Sequence, residues 1–142
     1  MRYFIDENLL GVAKALASVR DDVCHPGHPE LPEVPTGTLD ERWLPTIGTG
    51  GRDLILITRD NHIRTRPAER MAFHEHGIRA FFITGKKELN AWQKLDLLVR
   101  QWEKIERAVA KNGTGPWAMS LTRGGSPKDI PLTPPEAATT VR

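Results

Sequence analysis

The sequence predicts an α/β fold with a mostly parallel sheet covered by helices on both faces. Short apolar runs alternate with longer amphipathic ones, the order expected of strands joined by crossover helices. Leu54-Ile55-Leu56-Ile57 is a continuous aliphatic run, the pattern of a strand buried on both faces. The helical runs carry apolar residues at three- and four-residue spacing, so each presents one stripe to a core.

The elements follow in order. Tyr3-Phe4-Ile5 is a short buried strand, and Leu9, Leu10, Val12, Ala13, Leu16 and Ala17 then recur at helical spacing. Asp22-Val23-Cys24 is a second, weaker strand. His25 to Gly37 carries Pro26, Pro29, Pro32 and Pro35 and reads as a loop. Thr38-Leu39-Asp40-Glu41 fits a capping box, so a second helix is expected from Leu39 to the Gly48-Thr49-Gly50-Gly51 stretch. After the aliphatic strand, Pro67 opens a third helix that runs to His76 and stops at Gly77. Ala80-Phe81-Phe82-Ile83 is a fourth strand. Asn90 to Lys111 is a long helix with Trp92, Leu95, Leu98, Val99, Trp102, Ile105 and Val109 on its apolar stripe. Pro116 to Leu121 reads as one further strand. The expected division is a domain over residues 1–121 and a flexible Pro/Thr-rich tail over 122–142.

Composition narrows the function. The chain has 142 residues, 39% apolar and 27% charged, a balance that suits one soluble domain rather than a disordered chain. The net charge of +2 gives no overall basic field, so any contact with nucleic acid depends on where the basic residues lie. The single cysteine, Cys24, excludes an internal disulfide and suits a reducing compartment. The first residues reach the carboxylate of Asp6 too early for the apolar stretch of a signal peptide, and no run is long enough to span a membrane. A cytoplasmic protein is expected.

In a parallel α/β sheet the site lies beyond the carboxyl ends of the strands, where strand order reverses. Asp6 and Glu7 follow the first strand directly, and Asp60 follows the aliphatic strand. Asp40 lies in the first turn of the helix leading into that strand, and a crossover helix starts at the carboxyl edge of the sheet. Topology therefore brings Asp6, Asp40 and Asp60 to one rim. Carboxylates so placed repel unless a cation lies among them, and hard oxygen donors select Mg²⁺ or Mn²⁺. Such an ion activates water and stabilises a leaving oxygen in phosphodiester cleavage. Each acid also has a plainer role: Asp40 favours a helix N-terminus, Glu41 partners Thr38, and Asp6 and Asp60 suit turns. Their convergence carries the argument.

Arg59, Arg64, Arg66 and Arg70 crowd around Asp60 and are candidate contacts to an RNA backbone. Cys24-His25-Pro26-Gly27-His28 has metal-capable side chains but no second ligand pair at zinc spacing, and His74 and His76 do not share a helix face.

Three segments carry a resemblance: Phe4-Ile5-Asp6-Glu7-Asn8-Leu9, Leu39-Asp40-Glu41-Arg42-Trp43-Leu44, and Leu56-Ile57-Thr58-Arg59-Asp60-Asn61-His62-Ile63. Together, over Arg2 to Ile83, the chain resembles the PIN-like ribonucleases, a group that includes the VapC-type toxins of bacterial toxin–antitoxin pairs. The resemblance implies a three-layer α/β/α sandwich and Mg²⁺- or Mn²⁺-dependent endoribonuclease activity. It implies metal ligands at Asp6, Asp40 and Asp60, with Thr58 supporting the catalytic site, RNA as substrate and a cognate antitoxin as partner. The related pattern Thr-x-Asp-x-Asp-Phe has His62 and Ile63 here in its last two places, and Glu7 is the nearest candidate for a fourth ligand. Homo-oligomerisation stays open at this level.

Two other readings compete. A phosphoacceptor receiver domain would use Asp6, Glu7, Asp60 and Thr84, but Arg123 stands where its lysine is needed and Asp40 has no role there. A catalytically inactive PIN-like binding module is the other, since fold does not decide function.

Overall fold

The structure, a computed structural model, describes residues 1–133. The chain forms β1 (Tyr3–Ile5), a 3₁₀ turn (Glu7–Leu9), α1 (Leu10–Ala17), β2 (Val23–Cys24), α2 (Asp40–Ile47) and β3 (Ile55–Thr58). Two helices follow, α3 (His62–Thr65) and α4 (Pro67–Glu75), then β4 (Arg79–Ile83), α5 (Ala91–Asn112), β5 (Trp117–Leu121) and β6 (Lys128–Ile130). The sheet order is β2-β1-β3-β4-β5-β6. All neighbours pair in parallel except β5 and β6.

Period-two alternation explains why the central strands are apolar throughout. Tyr3, Ile5, Ile55, Ile57, Phe81 and Ile83 point to one face, where α1 and α5 pack with Leu16, Leu98 and Trp102. Phe4, Leu56, Ala80 and Phe82 point to the other, under Trp43, Leu44 and Ile47 of α2 and Phe73 of α4. The result is the expected three-layer sandwich. The chain leaves β1 for β2 on one side and returns past it to β3 on the other, so strand order reverses between β1 and β3. That crevice is where the site is expected.

Several local expectations change. Thr38 does not cap α2: its hydroxyl donates to the Pro35 carbonyl (2.6 Å), and the cap position is Leu39, with no side-chain bond. Glu41, its expected partner, is exposed. The capping box forms instead on α5, between Asn90 and Gln93. α4 does open at Pro67, and Gly77 follows its end at φ +60°, a conformation that a side chain disfavours. Trp92 and Val99, expected on the buried stripe of α5, are 78% and 59% exposed. Trp92 lies six residues before Leu98, about 120° round the helix at about 100° per residue, and so faces away from the sheet. β6 falls within the stretch expected to be a flexible tail, closing the sheet edge along Ala118–Ser120; residues 134–142 of that stretch lie outside the described residues. No helix among the described residues is long and apolar enough to cross a membrane.

Candidate active site

The register of β1 on β3 builds the site. Ile5 pairs with Ile57, and the Asp6 amide donates to the Ile57 carbonyl at 3.0 Å, so Asp6 and Thr58 leave the sheet side by side. Asp6 then caps the 3₁₀ turn, its Oδ1 accepting from the Glu7 amide at 2.6 Å. The fully buried Thr58 hydroxyl donates to Asp6 Oδ2 at 2.9 Å. Thr58 Oγ1 in turn accepts from the Asp60 amide at 3.0 Å and from Asn8 Nδ2 at 3.4 Å. Burial pushes the Asp6 carboxyl above the ordinary aspartate range; the bonds from Thr58 and Glu7 oppose this, and the charges of Asp60 and Glu7 reinforce it.

Asp40 opens α2 at the same rim. Its carboxyl is pushed up to about 7, first by burial, then by the charges of Asp6 and Asp60, a hydrogen bond with Asp60, and the charge of Glu69. The charges of Asp6 and Asp60 thus both act on Asp40, and that of Asp60 on Asp6, at the rim that topology singled out in the sequence. Asp60 Oδ1 also accepts from the His62 amide at 2.9 Å and lies 3.2 Å from His62 Nδ1. The second acid position of the related pattern is thus filled by a ring that partners Asp60. Among the described residues, no three His, Cys, Asp or Glu side chains form a ready group of metal ligands. Both oxygens of Asp6 are occupied within the chain, by Glu7 and Thr58.

Glu7 turns away from this group. Its Oε1 accepts from the Gly37 amide at 2.8 Å, tying the 3₁₀ turn to the segment that leads into Asp40. The acid that sequence reasoning missed is Glu69. It lies in the first turn of α4 and shares a cavity of about 310 Å³ with Thr38, Leu39, Asp40, Glu41 and Arg66. Glu69 carries the same signal in the sequence as Asp40: it follows Pro67 at the start of a helix whose N-terminus faces the carboxyl rim.

The four arginines have different surroundings. Arg59 is half-buried, donating to the Ile83 carbonyl (3.1 Å) and to Glu88 (2.7 Å). The Arg64 guanidinium lies 5.4 Å from the centre of the Phe82 ring and donates to Asn61 Oδ1 at 3.3 Å. Arg66 is more open, with 59% of its side chain exposed and Glu69 at 3.9 Å. Arg70 is half-buried.

The histidines away from the rim have structural partners. His25 Nδ1 lies 2.8 Å from the Pro26 carbonyl, His28 Nδ1 accepts from the Glu30 amide, and the two rings meet edge to face at 5.2 Å. Burial pushes the free Cys24 thiol up to about 12, which leaves it a poor nucleophile or ligand.

No curated protein and no solved structure matches the chain. A family model described as PIN like domain matches residues 1–85, the part of the chain that carries β1 to β4 and Asp6, Asp40, Thr58, Asp60 and Glu69.

Proposed function

The chain belongs to the PIN-like domain family, and from that footing we propose that it is a divalent-metal-dependent endoribonuclease. The observation that carries this reading is the Asp40 carboxyl, pushed up to about 7 by burial first and then by the charges of Asp6 and Asp60 at the same rim. Opposed carboxylates of this kind are an unfavourable arrangement that a hard cation relieves. The donor set suits Mg²⁺ or Mn²⁺, with Asp6, Asp40 and Asp60 as the residues that would hold it. Once bound, such an ion supplies a more acidic water and neutralises charge on a phosphodiester.

The protein's own groups supply orientation. Thr58 holds Asp6 through one bond and the Asp60 backbone through another, so a single buried hydroxyl aligns two of the acids. Glu7, through Gly37, anchors the approach to Asp40. Burial and the neighbouring acids disfavour the ionised form of Asp40, and positive charge entering the group would favour it. The phosphoacceptor reading leaves Asp40 without a role, and its membership of the family favours the nuclease.

The same proposal includes RNA as substrate, a cytoplasmic location, and a role as the toxin of a toxin–antitoxin pair with a cognate antitoxin as partner. A partner protein has an apolar surface available on α5, where exposed Trp92 and Val99 flank half-buried Leu95.

Asp60→Asn keeps an acceptor for the His62 amide and should fold normally, while losing most Mn²⁺ binding in calorimetry and all RNA cleavage. Unchanged Mn²⁺ affinity in the Asp6, Asp40 and Asp60 single Asn variants would overturn the assignment. RNA binding without cleavage by the unaltered protein would identify an inactive binding module instead.

A further inference from the structure

We propose that the β4–α5 loop, through Lys86 and Lys87, holds the phosphate backbone of single-stranded RNA beside the acidic rim. The inference rests on the nuclease reading for its ligand, and it places the strand on the β4 side rather than along α3.

The loop's position is fixed by Arg59. This residue lies between Thr58 and Asp60, yet its guanidinium reaches the Ile83 carbonyl at the end of β4 and Glu88 in the loop. Thr58 pairs with Phe82 across the sheet, so the loop leaves β4 directly beside the turn that carries Asp60. Lys86 and Lys87 therefore lie within a few residues of a contact made by the neighbour of the candidate ligand.

The charges are arranged for a polyanion. Glu88 is the one acid of the loop, and it is already matched by Arg59 at 2.7 Å and Lys94 at 3.1 Å, which hold its carboxyl below the usual range. Lys86 and Lys87 are exposed, and among the described residues neither has an ion pair or hydrogen-bond partner. The amides of Gly85, Lys86 and Lys87 are also unengaged there, so the loop offers both charge and backbone donors. Four cations, Arg59, Lys86, Lys87 and Lys94, and one acid thus gather at the loop that leaves β4 beside the turn carrying Asp60. A phosphate chain needs such a border, because it cannot approach the acids unaided. The arginines suit the task less well: Arg59 is committed to Ile83 and Glu88, and Arg64 lies over Phe82.

The test is binding of a fluorescent single-stranded oligoribonucleotide by anisotropy at several salt concentrations, in EDTA. Lys86→Ala/Lys87→Ala should lower the slope of log affinity against log salt by up to about 1.4, at about 0.7 per phosphate contact. Lys86→Arg/Lys87→Arg should keep the slope, and Arg64→Ala/Arg66→Ala should move it less than the lysine pair does. An unchanged slope in the lysine-to-alanine variant, with a normal melting curve, overturns the inference. RNA cleavage by the unaltered protein with Mn²⁺ is measured in parallel. Cleavage with an unmoved slope leaves the nuclease reading standing without this loop. A lowered slope without cleavage leaves the loop standing without the nuclease. No RNA binding by the unaltered protein overturns the loop assignment outright.

Discussion

Thr58 Oγ1 lies 2.9 Å from Asp6 Oδ2, although 52 residues separate them in the chain. The contact exists because β1 and β3 are parallel neighbours with Ile5 opposite Ile57, which puts the next residue of each strand at the same end of the sheet. The hydroxyl donates to Asp6 and accepts from the Asp60 amide, joining the two loops that carry the acids. Its full burial means that no water substitutes easily for either bond.

Thr58→Val keeps the shape of the side chain and removes the bonds to Asp6, to the Asp60 amide and to Asn8. The variant should lose about 1–3 kcal/mol of stability, because a buried carboxylate oxygen and a backbone amide are left without their partner. Mn²⁺ affinity should fall about 10- to 100-fold, the usual effect of removing a group that orients a ligand. Thr58→Ser should restore much of both. Denaturant melts and Mn²⁺ titration provide the measurement; wild-type affinity in the valine variant would remove Thr58 from the site.

Asp40 should leave a signature in stability against pH. Its folded-state value of about 7 lies above that of an unfolded aspartate, so the folded state binds the proton more tightly. Between pH of about 4 and about 7 this group therefore makes metal-free protein less stable as pH rises. Asp22, Glu33 and Glu88 are shifted the opposite way by Arg20, by Arg52, and by Arg59 with Lys94, so the effect is best read as a difference between two proteins. Asp40→Asn should gain stability relative to wild type as pH rises through this window, in urea melts with EDTA present. A difference that does not depend on pH would place Asp40 away from the other acids.

The two tryptophans of α5 should separate folding from association. Trp102 packs on Tyr3 with ring centres 4.8 Å apart and lies under the Arg20 guanidinium, so Trp102→Ala should cost about 3–5 kcal/mol. Trp92 is mostly exposed, and Trp92→Ala should leave the melting temperature nearly unchanged. If a cognate antitoxin docks on α5, Trp92→Ala should weaken its pull-down and its inhibition of cleavage. Full binding by that variant would move the partner off this helix.

The sequence by itself determined the layer order, the main strands, the parallel sheet and the position of Asp6, Asp40 and Asp60 at the ends of elements that share its carboxyl edge. Periodicity and alternation report which faces are buried, and in a parallel α/β chain those features already imply which ends of the elements share an edge. Tertiary structure alone decided what each side chain does at that edge. Thr38 fits a capping box but bonds Pro35, because local pattern does not state which of two nearby acceptors a hydroxyl reaches. Glu7 was the nearest fourth acid by position, yet the Pro-rich loop brings Gly37 to its carboxylate, while Glu69 comes to Asp40 from a helix 29 residues further along. Trp92 and Trp102 look alike on a helical stripe, and only the part of α5 that contacts the sheet separates them. Arg59 reads as a candidate contact to an RNA backbone until the adjacent strand and loop supply Ile83 and Glu88. In each case the deciding partner is distant in the chain or set by the path of a loop, and its identity follows from register and packing rather than from any local pattern of residues.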